Sequence, residues 1–499
     1  MCWRRPCGSR PRPSGQGRAV TKHLLLRLAC RLAAVPLLLG LVVALPVRAE
    51  EQLTLPPPPV PTVAPTLAEP VERPLSRTEI EQLIDAQVEA RLRAMPRPRY
   101  VPATDIMPPQ GAILIETDAQ RGEFPFSAAL SGFVQLRWLE FARSSTSWTD
   151  SAGNTFPVTN INTFNLNRFF ITTAGHVVDE RLLYNITIFG TTDNGLRAPI
   201  VPIGFGGFKW SEAAMLAVGM TQVYVTREWP EAPAWQMGVE RSMANTFFRP
   251  GFSPGVFAKG SLGDRTLFYQ AGIWNGIDGG TLGTLRQGTS MAFAGTSWWE
   301  PLAPFGLGYG DMSHHRDPAL RLGLGGCYGR TQELRIVGGN PEDTLIRLSD
   351  GTPLNRPGAL GDGTQIDQFR YHLASIDAGW KYRGWAVNFE YYFRLLNNFI
   401  GDGPFERNSV YDQGGNGYVS WCFLPRTLEA YGRSSVVTGD YGTGQEYGGG
   451  VNWYLKKSRQ ARLTLEALSI LRSPAQNPLY PYRAGFSGTA IQTQLMVIF

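Results

Sequence analysis

The sequence predicts an all-β fold, a transmembrane antiparallel β-barrel of about 16 strands preceded by a short helix. From Phe124 onward the chain repeats segments of roughly ten residues with alternating polarity, each followed by turn or loop residues. The polar sides of these segments carry charges, while the apolar sides are capped by Trp, Tyr and Phe. That is the pattern of a barrel with an apolar exterior and a water-filled interior. The segment Thr489–Phe499 is the third indication, because Thr489, Ile491, Thr493, Leu495, Val497 and Phe499 share one face of a strand. A closing barrel strand benefits from an apolar face running up to a terminal aromatic. Leu495, Val497 and Phe499 then read as a signal for the outer-membrane assembly machinery.

In chain order, residues 1–49 read as a cleaved export signal. Lys22, Arg27 and Arg31 precede an apolar run from Leu32 to Val47, and Val47-Arg48-Ala49 offers small residues for cleavage. The run falls short of the roughly 20 residues of a membrane helix. Residues 50–75 form a Pro-rich spacer, extended and unable to build a core. Ser76-Arg77-Thr78-Glu79 has the form of a helix capping box, and Ile80, Leu83, Ile84, Val88 and Leu92 follow at helical intervals. An amphipathic helix over 76–95 is expected, as a trimerising coiled coil, a plug or a wall-contacting element. Residues 96–123 form a Pro-containing connector, and 124–499 form the barrel.

Within the barrel, Ala128, Leu130, Val134, Leu136 and Trp138 oppose Ser131, Gln135 and Arg137. Leu182, Tyr184, Ile186 and Ile188 oppose Asn185 and Thr187, and Leu463 and Leu465 oppose Arg462, Thr464 and Glu466. The cleanest alternation sets Trp385, Val387, Phe389, Tyr391 and Phe393 against Asn388, Glu390, Tyr392 and Arg394.

The composition excludes several function classes. Residues 1–123 hold 16 Lys and Arg against 12 Asp and Glu, which leaves 31 against 29 for the barrel. A nearly neutral domain of this kind has no footprint for nucleic acid. Cys327 and Cys422 lie far apart without ligand spacing. His314-His315 beside Asp311 and Asp317 reads as a polar loop, since adjacent strand residues face apart. No nucleophile elbow or Gly-rich phosphate loop occurs, so the chain is read as a non-enzyme without cofactor or metal. A barrel enzyme, or a structural barrel anchored to the cell wall, is the alternative.

The barrel region resembles the phosphate-selective porin O and P family. The likeness lies in Phe164-Asn165-Leu166-Asn167-Arg168, Val239-Glu240-Arg241-Ser242-Met243 and Phe248-Arg249-Pro250-Gly251. It continues through Leu267–Gly276, Ala378–Tyr382, Asn388–Tyr392, Gly449–Leu455 and Gln492–Leu495. The resemblance implies a 16-stranded homotrimer in the bacterial outer membrane, embedded in its lipid, that passes small anions such as phosphate. One departure is Val225-Thr226-Arg227-Glu228-Trp229-Pro230, which lacks the lysine of the family's corresponding stretch.

An anion pore needs cations at its constriction, and arginine suits phosphate through its paired donors. Arg241, Arg249 and Lys259 are the first candidates, around a Pro250–Gly255 segment expected to form an inward-folded loop. Arg137 and Arg168 are expected to join them from early strands. Arg241 can also pair locally with Glu240.

Overall fold

The computed structural model describes residues 112–117, 124–192, 201–277, 290–331, 346–476 and 483–499. The expected export signal, Pro-rich spacer and helix 76–95 lie outside the described residues. Within the expected connector 96–123, Ala112–Glu116 is a short strand that pairs with Ser127–Leu130.

Sixteen strands close into one antiparallel ring. They are β1 (Ser127–Arg143), β2 (Ile161–Val177), β3 (Asp179–Gly190), β4 (Val201–Ser211), β5 (Ala214–Gln222) and β6 (Phe252–Leu262). Next come β7 (Leu267–Trp274), β8 (Ala292–Trp299), β9 (Ala319–Thr331), β10 (Gln365–Tyr382) and β11 (Trp385–Asp402). The ring is completed by β12 (Ser409–Leu424), β13 (Leu428–Gly439), β14 (Gly442–Tyr454), β15 (Ala461–Leu471) and β16 (Gly488–Ile498). Each strand pairs with its sequence neighbour, and β16 closes on β1 from Gly488↔Arg143 to Ile498↔Phe133. The ladder extends to Phe499, whose N–H donates to Gly132 O at 2.9 Å and whose O accepts from Gly132 N at 2.8 Å. Closure leaves the ring no unpaired edge.

Alternation sorts the side chains inside out. On β11, Trp385, Val387 and Phe389 are exposed outward, while Asn388, Glu390, Tyr392 and Arg394 are buried inside. The same sorting holds on β1, β3, β15 and β16, where Leu136, Ile186, Leu465 and Val497 face out. Trp210, Trp299, Trp380, Trp385, Trp421 and Trp453 are all outward and exposed, and all lie beside the same rim. Stacking strengthens this band, as in Trp385 on Trp421 at 5.2 Å.

That rim carries the tight turns, such as Val178 between β2 and β3 and Arg383-Gly384 between β10 and β11. The opposite rim carries most of the long connections. Two connections depart from the alternation of short and long that the other hairpins follow. Residues 440–441 make a tight turn on the loop rim, and residues 300–318 make a long insert on the turn rim.

Candidate functional site

The long connection between β5 and β6 does not extend away from the barrel. Every residue from Thr221 to Ser253 is buried. Tyr224 and Val225 and, farther on, Met243, Ala244, Phe247 and Phe248 supply its apolar contacts, joining one core cluster with Leu373, Tyr392 and Val437 of the inner wall. A short helix, α1 (Met243–Phe248), forms here because the Ser242 hydroxyl caps it, accepting from Asn245 N.

Wall residues fasten this segment along much of the ring. Ser375 Oγ donates to Val225 O at 2.5 Å, and Tyr371 OH donates to Phe248 O at 2.6 Å. Glu390 accepts from the backbone N–H groups of Arg227 and Glu228, at 2.6 and 3.1 Å. The Glu228 carboxylate accepts from Ser242, Tyr418 and Asn416. Arg433 Nη1 donates to Glu240 O, Asn452 to Met237 O and Arg462 Nη1 to Gln236 O. At Gly238 an added Cβ would lie 2.3 Å from Glu466 Oε2 and 2.6 Å from Arg433 Nη1. A side chain there would have to push the ends of that wall pair aside.

The insert 300–318 enters from the turn rim. Lys381 Nζ donates to the carbonyls of Phe305, Leu307 and Gly308, the last at 2.7 Å, and lies over the Phe305 ring. Asp311 accepts from Gly384 N at 2.8 Å and pairs with His315 at 2.6 Å. The two inserts meet inside the barrel. Arg227 lies over the rings of Phe305 and Tyr309, and Gly308 N donates to Glu231 Oε1. The interior is therefore crossed from both rims, where the sequence reading expected one inward-folded loop.

The five predicted cations divide between the wall and the insert. Arg137 and Arg168 face inward and meet on Glu240, whose carboxylate also accepts from Asn167 Nδ2 at 2.6 Å. A β-bulge makes this arrangement. The β1–β2 register steps from Gln135↔Arg168 to Leu136↔Leu166, so Asn167 is an extra residue on β2. Two adjacent polar residues, Asn167 and Arg168, thereby both turn inward.

Arg241 does not pair with Glu240. It donates to the carbonyls of Glu228, Trp229 and Glu231 and lies over the Trp229 ring. Burial and the charge of Arg168 pull its pKa down to about 10. Arg249 also lies over the Trp229 ring, its guanidinium carbon 3.6 Å from the centroid. Lys259 lies on β6 with its ammonium 5.0 Å from the Phe205 ring. The Pro250–Gly255 expectation is corrected accordingly, because Phe252–Gly255 already belongs to β6 and the inward segment is 223–251. Lys259 is a strand residue for the same reason.

Arg462 was assigned only to a polar face by the sequence and not to the site. It lies on the inner wall against the insert's tip, linked through Gln236 to the neighbourhood of Arg241. Its period-two position showed that it faces inward, but nothing local indicated which segment it would meet. Elsewhere, Cys327 and Cys422 are buried free thiols. Ser127 Oγ lies 2.8 Å from His176 Nδ1, but it also accepts the His176 backbone N–H. No carboxylate bonds that imidazole among the described residues.

No protein family matches the chain. No curated protein matches it either. Among solved structures, it is similar to an anion-selective porin from Comamonas acidovorans, at 10% identity over 75% of this chain and 99% of that chain, with a TM-score of 0.46. It is similar to the outer-membrane-expressed OmpT of Vibrio cholerae, at 10% identity over 76% and 100% of the two chains, with a TM-score of 0.45. It is also similar to the outer-membrane channel DcaP of Acinetobacter baumannii, at 9% identity over 78% and 100%, with a TM-score of 0.44. Similarity this low transfers no residue role to this chain. No family match supports the resemblance to phosphate-selective porins.

Proposed function

We propose that the protein is an outer-membrane porin that passes small hydrophilic solutes and prefers anions. The observation that carries this reading is the inverted sorting of a closed barrel. Apolar side chains and a rim of six tryptophans lie outside, while arginines, carboxylates and amides line the inside. In water such an exterior would be a very large exposed apolar surface. In a bilayer it is the required one, with tryptophans at the interface and the strands hydrogen-bonded neighbour to neighbour around a closed ring. Assembly as a homotrimer through the outer-membrane machinery fits the same reading.

The anion preference is supported by the charge around the tip of segment 223–251. Arg137 and Arg168 pair there with Glu240, Arg241 is held on nearby carbonyls of the same segment, and Arg462 donates to Gln236 O. Cations held at a constriction attract anions without trapping them when neighbouring carboxylates moderate the field. Phosphate is one candidate solute within that class.

A second reading is favoured by the two inserts meeting in the interior. It makes the barrel a closed or structural one whose inserts hold it shut. Single-channel recording in planar bilayers, in chloride and then in phosphate, separates the readings. Discrete steps with an anion-selective reversal potential uphold the anion porin. Steps without preference leave a general porin. A folded, inserted protein without steps favours the closed barrel.

A further inference from the structure

We infer that the inner wall formed by β15, β16, β1 and β2 holds a binding site for a small hydroxy- or amino-carboxylate, centred on Arg462. This rests on the pore reading, since the pore is the route by which such a solute arrives.

Arg462 is 1% exposed and has no carboxylate partner among the described residues. Its Nη1 donates to Gln236 O at 2.7 Å, which fixes the guanidinium plane. Its Nε and Nη2 have no partner. Those two nitrogens form the side-on fork of a guanidinium, whose parallel N–H groups match the two oxygens of a carboxylate. A buried charged fork left empty is costly, so a ligand or water is expected to fill it.

Gln494 supplies a further donor. The register Arg462↔Met496 and Thr464↔Gln494 places it diagonally across from Arg462 on the same inner face. Its Oε1 accepts from Asn167 Nδ2 at 3.1 Å, which fixes the amide and leaves Nε2 without a partner.

The class of anion follows from the remaining unpaired atoms. Asn167 Oδ1 and Gln492 Oε1 are acceptors without partners on the same wall. Neither amide can turn without loss, because Asn167 Nδ2 serves Glu240 and Gln494, and Gln492 Nε2 serves Glu466. An acceptor-only ion such as chloride or phosphate dianion would satisfy the donors and leave these acceptors bare. Glu240 and Glu466 beside the site also oppose a second negative charge. A carboxylate with a hydroxyl or ammonium group next to it offers acceptors to these donors and a donor to Asn167 Oδ1 beside Gln494, while Gln492 lies farther along β16 opposite Glu466.

The test is calorimetric titration of the folded full-length protein in detergent with lactate, acetate and inorganic phosphate, alongside block of its bilayer current. Lactate is expected to bind most tightly, with acetate and phosphate weaker. Arg462→Lys keeps the charge but removes the fork, and is expected to weaken lactate about tenfold or more, the worth of one charge-assisted hydrogen bond. Gln494→Met removes only the amide donor and is expected to weaken lactate severalfold, which keeps the test open if Arg462→Lys does not fold. Phosphate binding tighter than lactate would overturn the inference, as would unchanged lactate affinity in a folded variant or no binding of any probe. The pore reading fails separately. A protein without current steps whose lactate binding is lost in Arg462→Lys would retain the site and lose the porin.

Discussion

At the scale of single residues, the interior works by setting buried carboxylates against buried arginines in nearly equal number. Glu240 is shared by Arg137, Arg168 and Asn167, so it holds the tip of segment 223–251 to β1 and β2. Glu240→Gln removes the only negative charge in that contact. Breaking a buried ion pair this way is expected to cost about 3–5 kcal/mol of stability, read from denaturant unfolding. Channels that do form are expected to be more anion-selective by reversal potential. An unchanged reversal potential would place these arginines outside the ion path.

At the scale of elements, the bulge on β2 and the insert 300–318 each make a separable prediction. Deleting Asn167 removes the extra residue while leaving both flanks of β2 on their present faces. The barrel is expected to fold, and segment 223–251 to become more accessible to protease as Glu240 loses a donor. Retained protection would show that the bulge does not fasten the segment.

Asp311 anchors the other insert. Burial raises its pKa, but hydrogen bonds from His315 and from the Gly384 backbone outweigh this and leave it below the usual 3.8. A depressed folded-state pKa contributes stability that is present above the unfolded value and lost as pH falls through the folded one. Cleavage of the 300–318 insert by a broad-range protease is therefore expected to be flat from neutral pH down to about 4 and to rise only in stronger acid. Asp311→Asn should raise cleavage at neutral pH and remove the acid-dependent rise, so that the two proteins converge in strong acid. A rise already near pH 6 would assign the transition to another group.

At the scale of the whole molecule, the ring is only as sound as its last ladder. β16 pairs on both sides, with β15 and with β1. Thr493→Pro removes a backbone donor at an outward position and leaves the inner wall's chemistry untouched. It is expected to abolish the compact, heat-sensitive form that folded barrels show on electrophoresis. A variant that kept that form would mean the barrel tolerates an opened seam.

What the sequence determined by itself was the wall. In β1, β3, β11, β15 and β16 the period of two told inside from outside residue by residue, because strand side chains alternate whatever the strand meets. The strand number followed from length and segment spacing. Arg137 and Arg168 were legible as inward cations for the same reason. Only the tertiary structure decided what fills the interior. Segment 223–251 and insert 300–318 carry no sustained periodicity, and their positions depend on partners distant in sequence, such as Glu390 for Arg227, Arg433 for Glu240 and Lys381 for Phe305. The bulge at Asn167, the separation of Arg241 from Glu240 and the open fork of Arg462 arise only when the ring closes. Closure is what brings residues hundreds of positions apart to a few ångströms, and no local pattern encodes that distance.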